Sequence, residues 1–175
     1  MRIIASPAVI TLFTAISSSL PIYAADVTLY INGDIVASSC TVENNGMYNI
    51  DLGHNIPSRR LNAANSYSTW TEFYVTLSHC PVGTSRVTAH FTGPLDGTNP
   101  NLYANVSSPD SSRNVAIELQ RITGSVNAGS GKSIAVDVDN NRQAIFDMRA
   151  RIFSVAGGAT AGHISAMVVM NFTYN

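Results

Sequence analysis

Basic charge is scarce in this sequence. One lysine, Lys132, and nine arginines face eleven acidic side chains over 175 residues, and no basic run is longer than Arg59-Arg60. Binding to phosphate backbones needs clustered Lys and Arg, so a nucleic-acid partner is excluded. Cysteine is almost absent, with only Cys40 and Cys80, forty residues apart and without CxxC spacing. The four histidines, His54, His79, His90 and His163, show no HxH or HExxH spacing, so no metal centre is expected. No GxSxG elbow marks a nucleophile, and no enzyme signature is present. After residue 24 there is no long hydrophobic run, so the product is not membrane-embedded.

Two segments imitate binding motifs. Gly129-Ser-Gly-Lys-Ser133 resembles the end of a phosphate loop, but Val126 stands where the first Gly is required. Ser133 to Val138 alternates as a strand, so no helix N-terminus faces the loop. Asp137-Val-Asp139-Asn-Asn141 begins like a calcium loop, yet Arg142 and Met148 replace its Gly and its bidentate Glu. Both read as turns. Asp147, beside Arg149 and Arg151, reads as an ordinary surface charge. Asn105-Val-Ser107 and Asn171-Phe-Thr173 match the glycosylation acceptor pattern.

What is present begins with a secretory signal. Arg2 precedes a broadly apolar stretch from Ile3 to Leu20, and Ile22-Tyr-Ala24 precedes a cleavage point after Ala24. The mature chain, Ala25 to Asn175, then holds nine basic and eleven acidic side chains, a formal charge of 9 − 11 = −2. In an exported protein, an isolated cysteine pair reads most simply as one disulfide, Cys40–Cys80.

The mature chain reads as strand after strand. Candidates are Val27 to Ile35, Thr41 to Val42, Met47 to Leu52, Trp70 to Leu77, Arg86 to Thr92 and Val115 to Ile122. Ser133 to Val138, Ala144 to Val155 and Gly162 to Tyr174 complete the set. Ser58 to Ser68 has room for one short helical turn. Asn140 to Arg151 has some helical character, but Phe146, Met148, Ala150 and Ile152 fit period 2, and it reads as strand. About eight short strands with frequent turn signals point to an all-β sandwich in one domain.

The two ends are the unusual part. Ile164, Ala166, Val168, Met170, Phe172 and Tyr174 are apolar at every second position of the last strand. Val27, Leu29, Ile31, Gly33 and Ile35 repeat the pattern upstream of Cys40. The upstream segment reads either as an ordinary first strand or as a detachable strand for another molecule. Gly33 favours the second, because glycine weakens a strand unless a backbone or pocket requires it.

On these residues the sequence resembles the chaperone–usher pilins over its whole mature length. The resemblance rests on an alternating N-terminal extension with a central Gly33, then Cys40, Cys80-Pro81, Gly162 fourteen residues from the C-terminus, and Tyr174 in the penultimate position. Residues 25–28, 40–42, 80–88 and 157–162 are most similar to a minor tip subunit of that family.

The resemblance implies an incomplete immunoglobulin-like sandwich that lacks its last strand. Its domains would be a signal peptide (1–24), a donor-strand extension (25–37) and a pilin domain (38–175). Val27, Leu29, Ile31, Gly33 and Ile35 would fill a neighbour's groove by donor-strand exchange. Gly162, Ile164, Ala166, Val168, Met170, Phe172 and Tyr174 would form this subunit's own acceptor strand. The Asn175 carboxylate would anchor to a periplasmic pilus chaperone.

Further implied partners are an outer-membrane usher and neighbouring pilins, and no cofactor is implied. The product would pass through the periplasm to a fimbrium of a Gram-negative bacterium, linking the tip adhesin region to the rod and supporting cell adhesion. A two-domain adhesin would need a receptor-binding domain that 151 residues cannot hold, and a secreted enzyme lacks its signature.

Overall fold

In the computed structural model, the described residues are Tyr30, Asn32 and 39–175, the last stretch belonging to one compact unit. The expected signal segment and the alternating segment Val27 to Ile35 lie outside the described residues. Nine strands follow: β1 (Thr41–Val42), β2 (Ser66–Tyr67), β3 (Thr71–Ser78), β4 (Arg86–Thr92), β5 (Tyr103–Ala104), β6 (Ala116–Arg121), β7 (Ser133–Asp137), β8 (Ala144–Ser154) and β9 (Val169–Tyr174). Three short 3-10 turns are the only helical elements among the described residues.

The larger sheet has the order β1-β3-β8-β6-β5, with β2 also on β8. The smaller sheet has the order β7-β4-β9. Every strand pair is antiparallel. The all-β sandwich expected from the sequence is therefore present.

β8 shows why the pattern decides the fold. Phe146, Met148, Ala150 and Ile152 are buried, while Ile145, Asp147, Arg149, Arg151 and Phe153 face outward. A strand sends alternate side chains to opposite faces, so period 2 buries one apolar set. Phe146, Phe91, Leu77, Met148 and Tyr103 fill the space between the sheets. Each such side chain contributes about 1.5–3 kcal/mol by leaving water. Tyr103 is fully buried and its hydroxyl donates to the Ala128 carbonyl at 2.7 Å. Burial pushes its pKa up, so it stays a neutral donor.

Cys40 and Cys80 are disulfide-bonded and buried, tying the start of the described chain to the β3–β4 turn. The bridge closes a forty-residue separation. Cys40→Ser is expected to cost about 2–5 kcal/mol, read as a lower urea midpoint. Coincident midpoints for the two proteins would show that the bridge is dispensable.

Three local expectations are corrected, one of them the terminal strand, which begins at Val169 and not at Gly162. Met47 to Leu52 is not a strand. Asn44, Asn45 and Gly46 all have positive φ (54°, 52° and 73°) and peel the chain off β3 after only two ladder pairs. The Tyr48 hydroxyl then accepts the Thr76 amide at 3.3 Å, replacing a lost ladder bond. Ser58 to Ser68 holds the expected short turn, the 3-10 turn Ser58–Leu61, followed by the short strand β2.

Asp147 is no ordinary surface charge. Its carboxylate accepts Arg121 Nε at 2.9 Å, Thr123 N at 2.7 Å and Thr123 Oγ1 at 2.6 Å. Burial pushes its pKa up, but these hydrogen bonds outweigh it and hold the group down at about 2. On the outer face of the larger sheet, Arg151 pairs with Glu118 at 2.6 Å and lies against the rings of Tyr67 and Trp70.

Candidate functional site: a groove along the terminal strand

The last eleven residues before Asn175 carry two kinds of alternation at once. Ile164, Ala166, Val168, Met170, Phe172 and Tyr174 are half-buried, whereas Ser165, Met167, Val169, Asn171 and Thr173 are exposed. The first set packs against the core, and Phe172 meets Phe146 with ring centroids 5.6 Å apart. None of the six reaches full burial.

The backbone alternates in the same register. Asn175 and Arg86 exchange two hydrogen bonds, Asn175 N–H to Arg86 O at 2.9 Å and Arg86 N–H to Asn175 O at 3.0 Å. In an antiparallel ladder such exchanges recur at every second residue. Thr173 and Asn171 therefore face β4, opposite Thr88 and His90. The even-numbered residues turn their N–H and C=O groups to the other edge, and no described residue pairs with that edge. The open groups belong to the same residues whose side chains are only half covered.

Above the ladder, a polar clasp takes over from β4. The Asn105 Oδ1 accepts Ser165 N–H at 2.8 Å, and its Nδ2 donates to the carbonyls of Ser112 and His163. Val106 N–H donates to Ser165 O at 2.7 Å, and Ser112 N–H to His163 O at 2.9 Å. Residues 163 and 165 thus have their inner edge satisfied, and the open edge runs on up to Ile164. From Ile164 to Tyr174 it spans roughly 33 Å at strand rise.

Gly162 allows the clasp to close. Its φ is +155°, and a Cβ there would collide with Ser112 N and lie 2.6 Å from Ser111 C and 2.7 Å from Asp110 O. The close approach of two backbones is the physical reason for the glycine.

Beside this edge lies a groove of about 1200 Å³. Its floor is the inner face of the larger sheet, with Phe73, Val75, Ile117, Leu119 and Ile152. Its far wall is the loop expected to be a strand, with Tyr48, Ile50, Leu52 and Ile56. The floor and far wall are apolar, while Asn49, Asn55, Ser112 and Thr160 add polar groups to the lining. Asp51 and His54 also line it but pair with each other at 3.2 Å, both exposed. The sequence marked the far wall only as a strand and Asn105 only as a glycosylation acceptor, and it did not mark Ser112 at all. The signal for the wall was present in the apolar pattern of Met47 to Leu52, while the clasp has no sequence pattern.

The remaining candidates do not converge on chemistry. Among the described residues no cluster of His, Cys, Asp and Glu could hold a metal. Asp139 folds back on its own turn, accepting Asn141 N–H and Gln143 N–H. Gly129–Ser133 is the turn leading into β7. Ser133 Oγ lies 2.6 Å from His90 Nδ1, but among the described residues no carboxylate orients that imidazole. Asn105 spends its amide within the clasp. One Asn175 oxygen accepts the amides of Ser85 and Arg86. Val27, Leu29, Ile31, Gly33 and Ile35 lie outside the described residues.

Comparison with known proteins supplies the context. Residues 29–175 match the family model described as fimbrial protein. The chain is 40% identical over 159 residues to Protein FimG of Escherichia coli strain K12, covering 90% of each chain. Among solved structures, the P pilus rod subunit PapA matches with TM-score 0.63 and 20% identity, over 79% of this chain and all of that one. A chain from a chaperone–usher pilus structure matches with TM-score 0.64 and 20% identity, over 90% of this chain and all of that one. Among the described residues no helix is long and apolar enough to cross a membrane.

Proposed function

This chain belongs to the fimbrial protein family, whose members are structural pilus subunits and not enzymes, and from that premise we propose how it is built into a fibre. It is a minor subunit of a chaperone–usher fimbria that polymerises with other pilins by donor-strand exchange. The strand taken up lies on the open edge of Ile164 to Tyr174 and completes the smaller sheet. One observation carries the reading: the unpaired backbone edge and the half-covered apolar side chains belong to the same six residues. A strand of alternating apolar residues satisfies both at once.

The matching strand is Val27 to Ile35, within an extension of residues 25–37 that follows a signal peptide of residues 1–24. Its length at strand rise is roughly 27 Å, close to that of the groove edge. Val27, Leu29, Ile31 and Ile35, buried at about 1.5–3 kcal/mol each, give roughly 6–12 kcal/mol before the entropy of association. Residues 38–175 form the acceptor domain. A periplasmic chaperone fills the groove before assembly and engages the Asn175 carboxylate, and an outer-membrane usher delivers the subunit to the surface fimbrium. There it links the tip adhesin region to the rod.

In this reading the glycine at position 33 is needed because the inserted strand must lie close to its neighbour there, the reason a strand keeps a residue that weakens it. Gly33→Leu should cut polymer yield at least tenfold while leaving the chaperone-bound subunit folded, measured by fibre recovery and circular dichroism. Wild-type yield from this variant would refute the close approach at Gly33.

A further inference from the structure

β2 and β3 lie along the same side of β8, but not in one register. Tyr67 pairs with Phe153 and Thr71 with Ala150, so the three residues 68–70 face only two, 151 and 152. Ser68 takes Ile152, accepting its N–H on Oγ at 3.0 Å and donating its own N–H to the Ile152 carbonyl at 2.9 Å. Thr69 and Trp70 are left opposite Arg151 alone. This is a β-bulge, a device that re-aims a side chain. In a regular strand Tyr67 and Trp70, three residues apart, would point to opposite faces. The bulge turns both to the outer face of the larger sheet, around one guanidinium.

Arg151 is held there from several sides. Its Cζ lies 3.7 Å from the ring centre of Tyr67, 4.1 Å from that of Trp70 and 5.7 Å from that of Phe153. Its Nε donates to Glu118 at 2.6 Å. Among the described residues no acceptor meets its two Nη nitrogens, and neither is sealed from water. Arg151 lines a cleft of about 550 Å³ together with Arg60, Tyr67, Ser68, Thr69 and Trp70.

The charge around this cleft is out of balance. Arg149 stands 4.4 Å from the same Trp70 ring, and its Nε is buried without an acceptor. Among the described residues neither Arg149 nor Arg60 pairs with a carboxylate, although Glu72 is opposite Arg149 in register. Three guanidinium groups thus engage one carboxylate, Glu118. Two cations against one indole repel each other, and an anion in the cleft offsets that repulsion. A guanidinium fixed by packing, with both Nη nitrogens free, presents the fork that a carboxylate takes in two parallel hydrogen bonds.

The rest of the lining narrows the class of ligand. Tyr67 is 52% exposed and offers a flat apolar face, while exposed Thr69 adds a hydroxyl. The cleft has the size of a small-molecule site. A sugar acid combines a carboxylate, hydroxyls and a flat C–H face. We propose that this cleft binds an acidic sugar, with its carboxylate on the Nη nitrogens of Arg151, Arg60 beside it, and its ring on Tyr67. The groove floor is the inner face of the same sheet, so a filled groove leaves the cleft open. The site does not depend on strand uptake.

Trp70 is the only tryptophan of the chain, so its fluorescence reads the cleft directly. The mature chain is titrated with trigalacturonate, with the neutral galactose trimer, and with capped triglutamate, which has as many carboxylates and no sugar ring. A saturable change with trigalacturonate alone is the expected result. Arg151→Lys keeps the charge but loses the fork, and should weaken binding about tenfold with an unchanged circular dichroism spectrum. Arg60→Ala, at an exposed position, should weaken it about threefold. If the lysine variant loses its fold, Arg60→Ala decides alone. No saturable change with trigalacturonate, or equal binding of either other trimer, overturns the acidic sugar. Native affinity in the folded variants overturns the cleft as its place.

Discussion

Gly162→Ala is expected to lower the stability of the folded subunit by about 3–5 kcal/mol, among the largest effects of any single methyl group in this chain. The added carbon would meet three backbone atoms of residues 110–112, with Asp110 O only 2.7 Å away. Backbone atoms, unlike the end of a long side chain, cannot swing aside. Relief requires opening the clasp, and with it the bonds between Ser112 and His163 and between Asn105 and Ser165.

The loss is therefore one of site as well as stability. Without the clasp, Ile164 to Val168 have no partner on their inner edge and the upper groove wall comes loose. Gly97→Ala is the matched control, because a Cβ there meets nothing within 4 Å and Gly97 has no left-handed φ. Urea unfolding of the two variants makes the comparison. Equal midpoints would show that the clasp yields at little cost.

Val168→Asp should abolish strand uptake while leaving the fold intact. Val168 is half-buried, lines the groove and sits in the middle of the open edge. In the empty groove a carboxylate there keeps contact with water. Once a strand covers it, it must be desolvated with no cation beside it, at a cost of several kcal/mol. At 1.4 kcal/mol per tenfold, that is about a hundredfold to a thousandfold loss of affinity for the inserted strand. Titration calorimetry with a peptide of residues 25–37 measures this, with circular dichroism as the check on folding. Val168→Leu, which keeps the surface apolar, should bind within a few fold of the native chain. Tight binding by Val168→Asp would place the occupant elsewhere.

The sequence made the strands legible wherever a strand has one wet face. β8 and the terminal segment show it, since alternation alone marked Phe146, Met148, Phe172 and Tyr174 as inward. Met47 to Leu52 misled because its apolar residues do cover the core, yet three successive left-handed residues before it remove it from the sheet. Side-chain pattern reports which face is buried, not whether the backbone has a ladder partner.

The clasp was illegible for a different reason. Asn105, Ser112 and His163 are brought together by the fold from separate segments, and polar residues in loops carry no period. Gly162 stood out in the sequence by its position, but its cause, a backbone packed against its Cα, could be read only from the structure.

Hydrogen exchange at single amides tests the central claim most directly. The mature chain is compared with and without a saturating peptide of residues 25–37. Without peptide, the amides of Asn171, Thr173 and Asn175, which face β4, should already be protected. With peptide, the amides of Ile164, Ala166, Val168, Met170, Phe172 and Tyr174 should slow by at least a hundredfold, and their odd-numbered neighbours far less. Binding that leaves the even-numbered amides exchanging at their original rates would contradict the account, because the open edge would then not be where the strand is received.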